Sequence, residues 1–364
     1  MTSLTGLIVL VGSSLVLWMV LVGLAVTRKL LRDRRELRSS DRRAHYSAAL
    51  QGDAAAIAAV CGDVWSVAAQ VDLAVSIDAV YATLSREQVS ALRCAMKSSE
   101  LLSRLEVDLQ SRRPIARARA ALLLTRPGIP EVVEQIAPLL GDPDPDVRLV
   151  ACSGLARTAT PRAAQMLIWA LMAHLLPPER IIERLGAPWA VETILDTLRD
   201  GPIPVSDVLA DVAPRGSEVE LDASLARALG LARDPRAANA LAALLDRDSA
   251  EVRISAVRAL GRVGGEACVP ALIAALESED WPVRAQAAKS LGTLRATEAL
   301  EPLERCLSDR AWWVRANAAR ALRDLGGPGI EALQRTLEHN DRYAADRARE
   351  QLALHAVIEE RAAA

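Results

Sequence analysis

Three segments decide the fold: EVRISAVRALGRVG at residues 251–264, PVRAQAAKSLGTLR at 282–295 and WVRANAARALRDLG at 313–326. They align without gaps, and their Val-Arg pairs fall at 252/253, 283/284 and 314/315, so the pattern repeats at one constant interval. Apolar positions such as Val252, Ala256, Ala259, Leu260 and Val263 follow the i, i+4, i+7, i+8, i+11 spacing of one helix face. Gly264-Gly265, Ala296-Thr297 or the GGPG at 326–329 then breaks the helix, and a second short amphipathic run follows: VPALIAAL, LEPLERCL or IEALQRTL. A polar corner, SED, SDR or EHND, closes each unit. Each unit is therefore a helical hairpin. A lone hairpin cannot bury its apolar face, so the core must come from stacking neighbours into a solenoid.

The pattern runs backwards with falling fidelity. Leu229-Gly230 stands one period before Leu260-Gly261, DPDPDVRLVACSGLAR places Val147-Arg148 in register, and PIARARAALLL puts Arg117 one period earlier than Arg148. Composition agrees with closely packed helices. The 364 residues include 67 alanines and no phenylalanine, and only 3% are aromatic, which leaves little material for a sandwich, a barrel or a parallel sheet. With 51% hydrophobic and 25% charged residues, the chain is not globally disordered.

The composite pattern D…VR..A..ALG…(Pro/Ala)AL..AL.D over residues 112–340 resembles HEAT repeats, specifically the short units also found in phycobilisome lyases. The resemblance implies an all-α solenoid of helical hairpins that binds proteins, and says little about any activity. It divides the chain into HEAT-like repeats at 112–176 and 221–355, with an irregular helical insertion at 177–220 expected to project from the stack. Residues 46–111 read as helical, degenerate repeats, and 356–364 as a tail.

At the other end, residues 1–27 read as a single transmembrane helix. From Leu4 to Val26 the sequence LTGLIVLVGSSLVLWMVLVGLAV carries no charge, and it is long enough to cross about 30 Å of hydrocarbon. No basic stretch precedes it and no small-residue cleavage site follows, which separates it from a secretory leader. The basic segment at 28–45 follows directly. Its Arg28, Lys29, Arg32, Arg34 and Arg35 place everything after residue 27 in the cytoplasm and could hold anionic lipid headgroups. Arginine outnumbers lysine 41 to 3, a bias of GC-rich bacterial coding that points to a bacterial inner membrane. Beyond residue 43, 36 basic residues stand against 43 acidic ones, a formal charge of −7 that disfavours nucleic acid as the main ligand.

No phosphate loop, nucleophile elbow, dinucleotide fingerprint or paired-histidine zinc motif occurs, and no cofactor or metal is expected. Cys61, Cys94, Cys152, Cys268 and Cys306 are scattered and read as buried free thiols, and His45, His174, His339 and His355 are equally dispersed. The repeated arginines Arg117, Arg148, Arg253, Arg284 and Arg315, with Asp142, Asp246, Asp280 and Asp309 in the preceding corners, predict an arginine–carboxylate ladder between turns. A second column, Arg227, Arg258, Lys289 and Arg320, repeats at the same interval and points away from the core, as a solvated face or a stripe for an acidic partner. Trp281 and Trp312, with Trp313 beside the latter, share one repeat position; they either cover hairpin ends or form an interface hot spot. The run MLIWALMAHLL from Met166, too short to span a bilayer, is either an enclosed helix or a docking surface presenting Leu167, Ile168, Trp169 and Leu171.

These observations predict a non-enzymatic, single-pass scaffold, amino terminus outside and solenoid in the cytoplasm, that positions or regulates a protein partner at the membrane. The alternatives are a dedicated subunit of a membrane enzyme, such as a polysaccharide-synthesising glycosyltransferase, or of a transporter, and a HEAT-scaffold enzyme resembling the alkyl-base DNA glycosylases.

Overall fold

A computed structural model describes residues 29, 32, 35–205, 208, 209, 213, 215–338 and 341–363. Every regular element among them is helical, and they fall into two compact units that divide after Ile129. None of the described helices is long and apolar enough to cross a membrane, and residues 4–26, with Arg28 and Arg34, lie outside the described set.

The first unit holds α1 (residues 35–50), α2 (Ala54–Gly62), α3 (Val67–Val80), α4 (Arg86–Ser98), α5 (Glu100–Leu109) and α6 (Pro114–Thr125). Side chains set its helix starts. Asp53 accepts from the Ala56 amide, Ser66 accepts from Ala69, and Ser85 and Gln88 form a reciprocal capping box. Leu50, Ile57, Leu73, Ile77, Leu92 and Met96 are fully buried. The basic segment is not a free collar. Its second half lies inside α1, and Ser39, Arg42 and Arg43 all donate to the carboxylate of Asp72 on α3.

The second unit comprises α7 (Val133–Ile136), α8 (Pro145–Thr158), α9 (Pro161–Met172), α10 (Pro178–Leu185), α11 (Val191–Asp200), α12 (Glu218–Ala232), α13 (Ala238–Ala243), α14 (Ala250–Val263), α15 (Val269–Ala274), α16 (Trp281–Leu294), α17 (Leu300–Arg305), α18 (Trp312–Asp324), α19 (Gly327–Thr336) and α20 (Arg342–Ala363). The long helices α12, α14, α16 and α18 pack in series, each against the next. Glycine makes this closeness possible. A methyl group at Gly230 would sit 2.9 Å from the Ala259 Cα, one at Gly261 2.4 Å from the Ser290 Oγ, and one at Gly292 2.7 Å from the Ala321 Cα. The Leu-Gly pair recurs in α12, α14 and α16 because successive turns of the solenoid bring two helix backbones into contact there. Arg323 takes the glycine's place in α18, where it reaches Asp324 and Gln351 instead.

Two boundary expectations are corrected. Residues 177–200 do not project: α10 packs on α8, α9 and α12, and α11 on α9 and α12, because Ile181, Ile182, Leu185, Val191 and Ile194 supply the same buried seam as the regular repeats. Residues 356–363 are not a tail but the last turns of the 22-residue α20.

Candidate functional site

The corner between successive hairpins sets the geometry of the site. In each repeat the arginine of the Val-Arg position folds back along its own helix and donates to carbonyls six residues earlier: Arg117 to Ser111 at 2.8 Å, Arg148 to Asp142 at 2.8 Å, Arg284 to Ser278 at 2.7 Å and Arg315 to Asp309 at 2.6 Å. Arg253 does the same to Arg247. The carboxylate partner comes from the following corner, not the preceding one: Arg253 pairs with Asp280, and Arg284 holds Asp309 with two bonds of 2.7 and 3.0 Å. The ladder therefore exists in a corrected form, with each arginine bracing its own corner through backbone and the next through charge. Burial pushes the Asp309 carboxyl up, but Arg284 and the Ala311 amide pull it further down, so it stays below the usual carboxylate range and the pair remains ionised.

Corners fixed in this way present tryptophan. Trp281 and Trp312 are the first residues of α16 and α18, and with Trp313 they line one open groove of about 890 Å³. The rings are 46, 46 and 57% exposed, an unusual cost in a chain with so few aromatics. Trp312 and Trp313 meet edge to face, centroids 4.6 Å apart at 86°, and the Arg347 guanidinium lies 5.6 Å from the Trp312 ring. Three acids, Glu277, Glu279 and Asp309, balance the lining arginines Arg284, Arg305 and Arg310, so aromatic surface rather than net charge dominates. Cys306 also reaches the groove, but burial lifts its thiol to about 12, which makes it inert.

The cation column is not part of this groove. Arg258, Lys289 and Arg320 are exposed further along α14, α16 and α18 and form a separate row. Arg227 departs from them: half-buried, it donates to Ser224 and shares a small cavity with His174 and Glu220, so the row has three members and not four. The apolar run at 166–176 offers no docking surface, because Leu167, Ile168 and Leu171 are buried in α9 and Trp169 is half-buried. Lys29, Arg32 and Arg35 are exposed. Cys94 is exposed, contrary to expectation, whereas the other four cysteines are buried. Among the described residues no three His, Cys, Asp or Glu side chains gather as a metal site, and His45, His174 and His355 stand apart; His339 lies outside them.

A profile of HEAT repeats matches residues 99–173, 206–277 and 269–353, more than half of the chain. No protein of curated function matches the sequence. Similar solved structures include an engineered protein (21% identity, 88% of this chain and 95% of that one, TM-score 0.35), Kap121p bound to Nup53p (14%, 88% and 41%, 0.48) and human deoxyhypusine hydroxylase (17%, 85% and 98%, 0.30). This chain thus spans 41% of the length of Kap121p.

Proposed function

The chain belongs to the HEAT-repeat family, and on that premise we propose that it is a non-enzymatic scaffold that holds a protein partner at the membrane. Residues 4–26 anchor it, the helical units lie on the cytoplasmic side, and the tryptophan groove seats a segment of a membrane protein or membrane-associated enzyme. The observation that carries the reading is the presentation of Trp281, Trp312 and Trp313, half-exposed on consecutive repeats and set on corners that Arg284 and Arg315 brace. Trp and Arg dominate interface hot spots because a large rigid ring buries much area at little entropic cost. A half-exposed ring hides on the order of a further 80 Å² when covered, or about 2 kcal/mol at 25 cal/mol per Å².

Affinity capture of the full chain from detergent extract tests this. A stoichiometric partner should be lost, by at least about tenfold in affinity, with Trp312→Ala and Trp313→Ala together, while the helical spectrum is unchanged. Reversal of Arg258, Lys289 and Arg320 to glutamate should weaken the same complex and flatten its salt dependence if the exposed row contacts an acidic partner. Association that survives every one of these changes refutes the groove. Exchange of residues 4–26 for an unrelated span distinguishes a tether from a dedicated enzyme or transporter subunit, since only the latter needs the native span.

A further inference from the structure

The helix α3 is apolar on two sides. Of its fourteen residues only Asp72 and Asp78 are charged, and both are engaged: Asp72 is buried under Ser39, Arg42 and Arg43, and Asp78 pairs with Arg126. One side packs into the first unit through Leu73, Ile77 and Val80. The other presents Val67, Val71 and Val75 at i, i+4 and i+8, and they are 56, 44 and 43% exposed. A helix apolar all round belongs in a core or against lipid. Protein covers half of this one.

Along the α1 side the valine row is bordered mostly by cations. Val71 and Ala68 line a groove of about 590 Å³ together with Arg32, Arg35 and Arg38 of the basic segment against one acid of that segment, Glu36, and the Asp72 pin draws α1 against α3 at that edge. On the opposite edge Val67 shares a groove with Trp65, 62% exposed and stacked under the Arg104 guanidinium, and Val107, 73% exposed, where the two acids Glu100 and Asp108 are paired with Arg104 and Arg119. An apolar strip with an arginine rim and a tryptophan at its margin is the composition of a surface that rests in the headgroup region, valines in the acyl boundary and guanidinium groups on phosphates. Location agrees. Eight residues lie between Val26 and Arg35, so Arg35 lies within about 30 Å of the point where the uncharged stretch ends.

We propose that this face of the first unit, Val67, Val71 and Val75 rimmed by Arg32, Arg35 and Arg38, lies on the anionic cytoplasmic leaflet, so that the span and the helical unit grip the bilayer together. The proposal rests on the reading of residues 4–26 as an anchor, and it adds to the juxtamembrane arginines an apolar surface from a helix that lies well beyond them in the chain.

Full-length protein in lipid nanodiscs provides the test. In a Cys94→Ala background, an environment-sensitive fluorophore is placed at Val71→Cys, at Leu15→Cys within the span and at Arg258→Cys in the second unit. In discs that contain phosphatidylglycerol, shallow nitroxide lipids should quench the probe at 71 about threefold more than in phosphatidylcholine alone. Replacement of Arg32, Arg35 and Arg38 by glutamine should erase that difference, and the probe at 258 should remain aqueous in both lipids. If the probe at 15 is quenched while that at 71 stays aqueous, the anchor stands and the docked face is overturned. If the probe at 15 is itself aqueous, the anchor fails and the docked face with it. Equal quenching at 71 in both lipids overturns recognition of anionic lipid. A circular dichroism spectrum unchanged from the unlabelled chain confirms that the Val71→Cys protein is folded.

Discussion

The second unit is held together where α12, α14, α16 and α18 meet through alanine and glycine; the first is pinned where α1 meets α3 by one buried carboxylate beneath two arginines. The former arrangement recurs with every repeat and depends on the absence of side-chain volume. The latter occurs once and depends on charge. A repeat unit tolerates loss of any single polar contact because its neighbours supply the same geometry, but it does not tolerate added volume at the seam. The one-off pin has the opposite sensitivities.

Volume at the seam should therefore produce the largest effect. Gly292→Ala puts a methyl 2.7 Å from both the Cα and Cβ of Ala321, and since backbone must yield, about 3 kcal/mol of stability should be lost in denaturant titration. The matched exchange in the first unit reverses the sign. Gly62, the last residue of α2, has open space where its Cβ would stand, and Gly62→Ala should gain about 0.5 kcal/mol. Equal losses at both positions would mean that close backbone approach is not what distinguishes the units.

Charge at the pin comes next. Asp72→Asn removes the anionic acceptor of three donors, and about 2 kcal/mol should be lost at neutral pH, less than for a fully enclosed pair because Arg42 and Arg43 can turn to water. Burial raises the Asp72 carboxyl, but the bonds from Ser39, Arg43 and Arg42 together outweigh it and leave it below the ordinary value. With the folded value depressed, its contribution is complete above the unfolded carboxylate value of about 4 and is lost as pH falls through the folded one. Thermal melts of wild type and Asp72→Asn should thus differ most at neutral pH and converge in acid below about pH 4.

Asp222 in α12 supplies the inverse case. It too is buried, but burial raises its carboxyl more than the single half-exposed Arg247, 3.1 Å away, can lower it, and Glu218 adds to the rise. A raised folded value favours the protonated acid, a stabilisation present at low pH and lost as pH climbs through that value. Asp222→Asn imitates the neutral acid and should gain up to about 1 kcal/mol at pH 7, with no gain in acid. One carboxylate worth keeping and one worth removing, at similar burial, would separate the number of donors from burial as the deciding factor.

Legibility in the sequence followed the same division. The seam could be read because Val-Arg and Leu-Gly recur at fixed distance, and the three tryptophans because two share a repeat position. The pin could not: Asp72 is one of two acids in the apolar run of α3, and its partners lie far back along the chain, 29 and 30 residues away. Residues 177–200 lie outside the matched repeats yet pack into the stack, since Pro177 and Pro178 break the pattern without breaking the packing of Ile181, Ile182 and Ile194. For Leu167 and Ile168 hydrophobicity was evident but burial was not, since burial depends on the helices laid over α9. The linear pattern points each ladder arginine to the acid before it, whereas Arg253 and Arg284 reach Asp280 and Asp309 in the next corner, because the reach of a side chain towards the next repeat has no trace in a sequence.

The smallest expected effect lies where the long helices end. Positions 233, 264, 295 and 326 are equivalent, one repeat apart, and all have positive φ, at 53, 74, 52 and 75°. They are not conformationally alike. Gly264 and Gly326 pair that φ with ψ of −168 and −142°, a region open to glycine alone, whereas Arg233 and Arg295 sit in the left-handed helical region with ψ of 34 and 41°. A side chain in that region costs roughly 1 to 2 kcal/mol, of which glycine would return all but the 0.5 to 1 kcal/mol lost to its freer unfolded chain. Arg295→Gly should therefore gain about 0.5 kcal/mol in a thermal melt. The reverse exchange, Gly264→Arg, must abandon its backbone conformation and refold the turn as Arg295 does, and should cost more than Arg295→Gly gains. If the two exchanges prove equal and opposite, the corners are interchangeable and the two turn types carry no separate constraint on how successive hairpins meet.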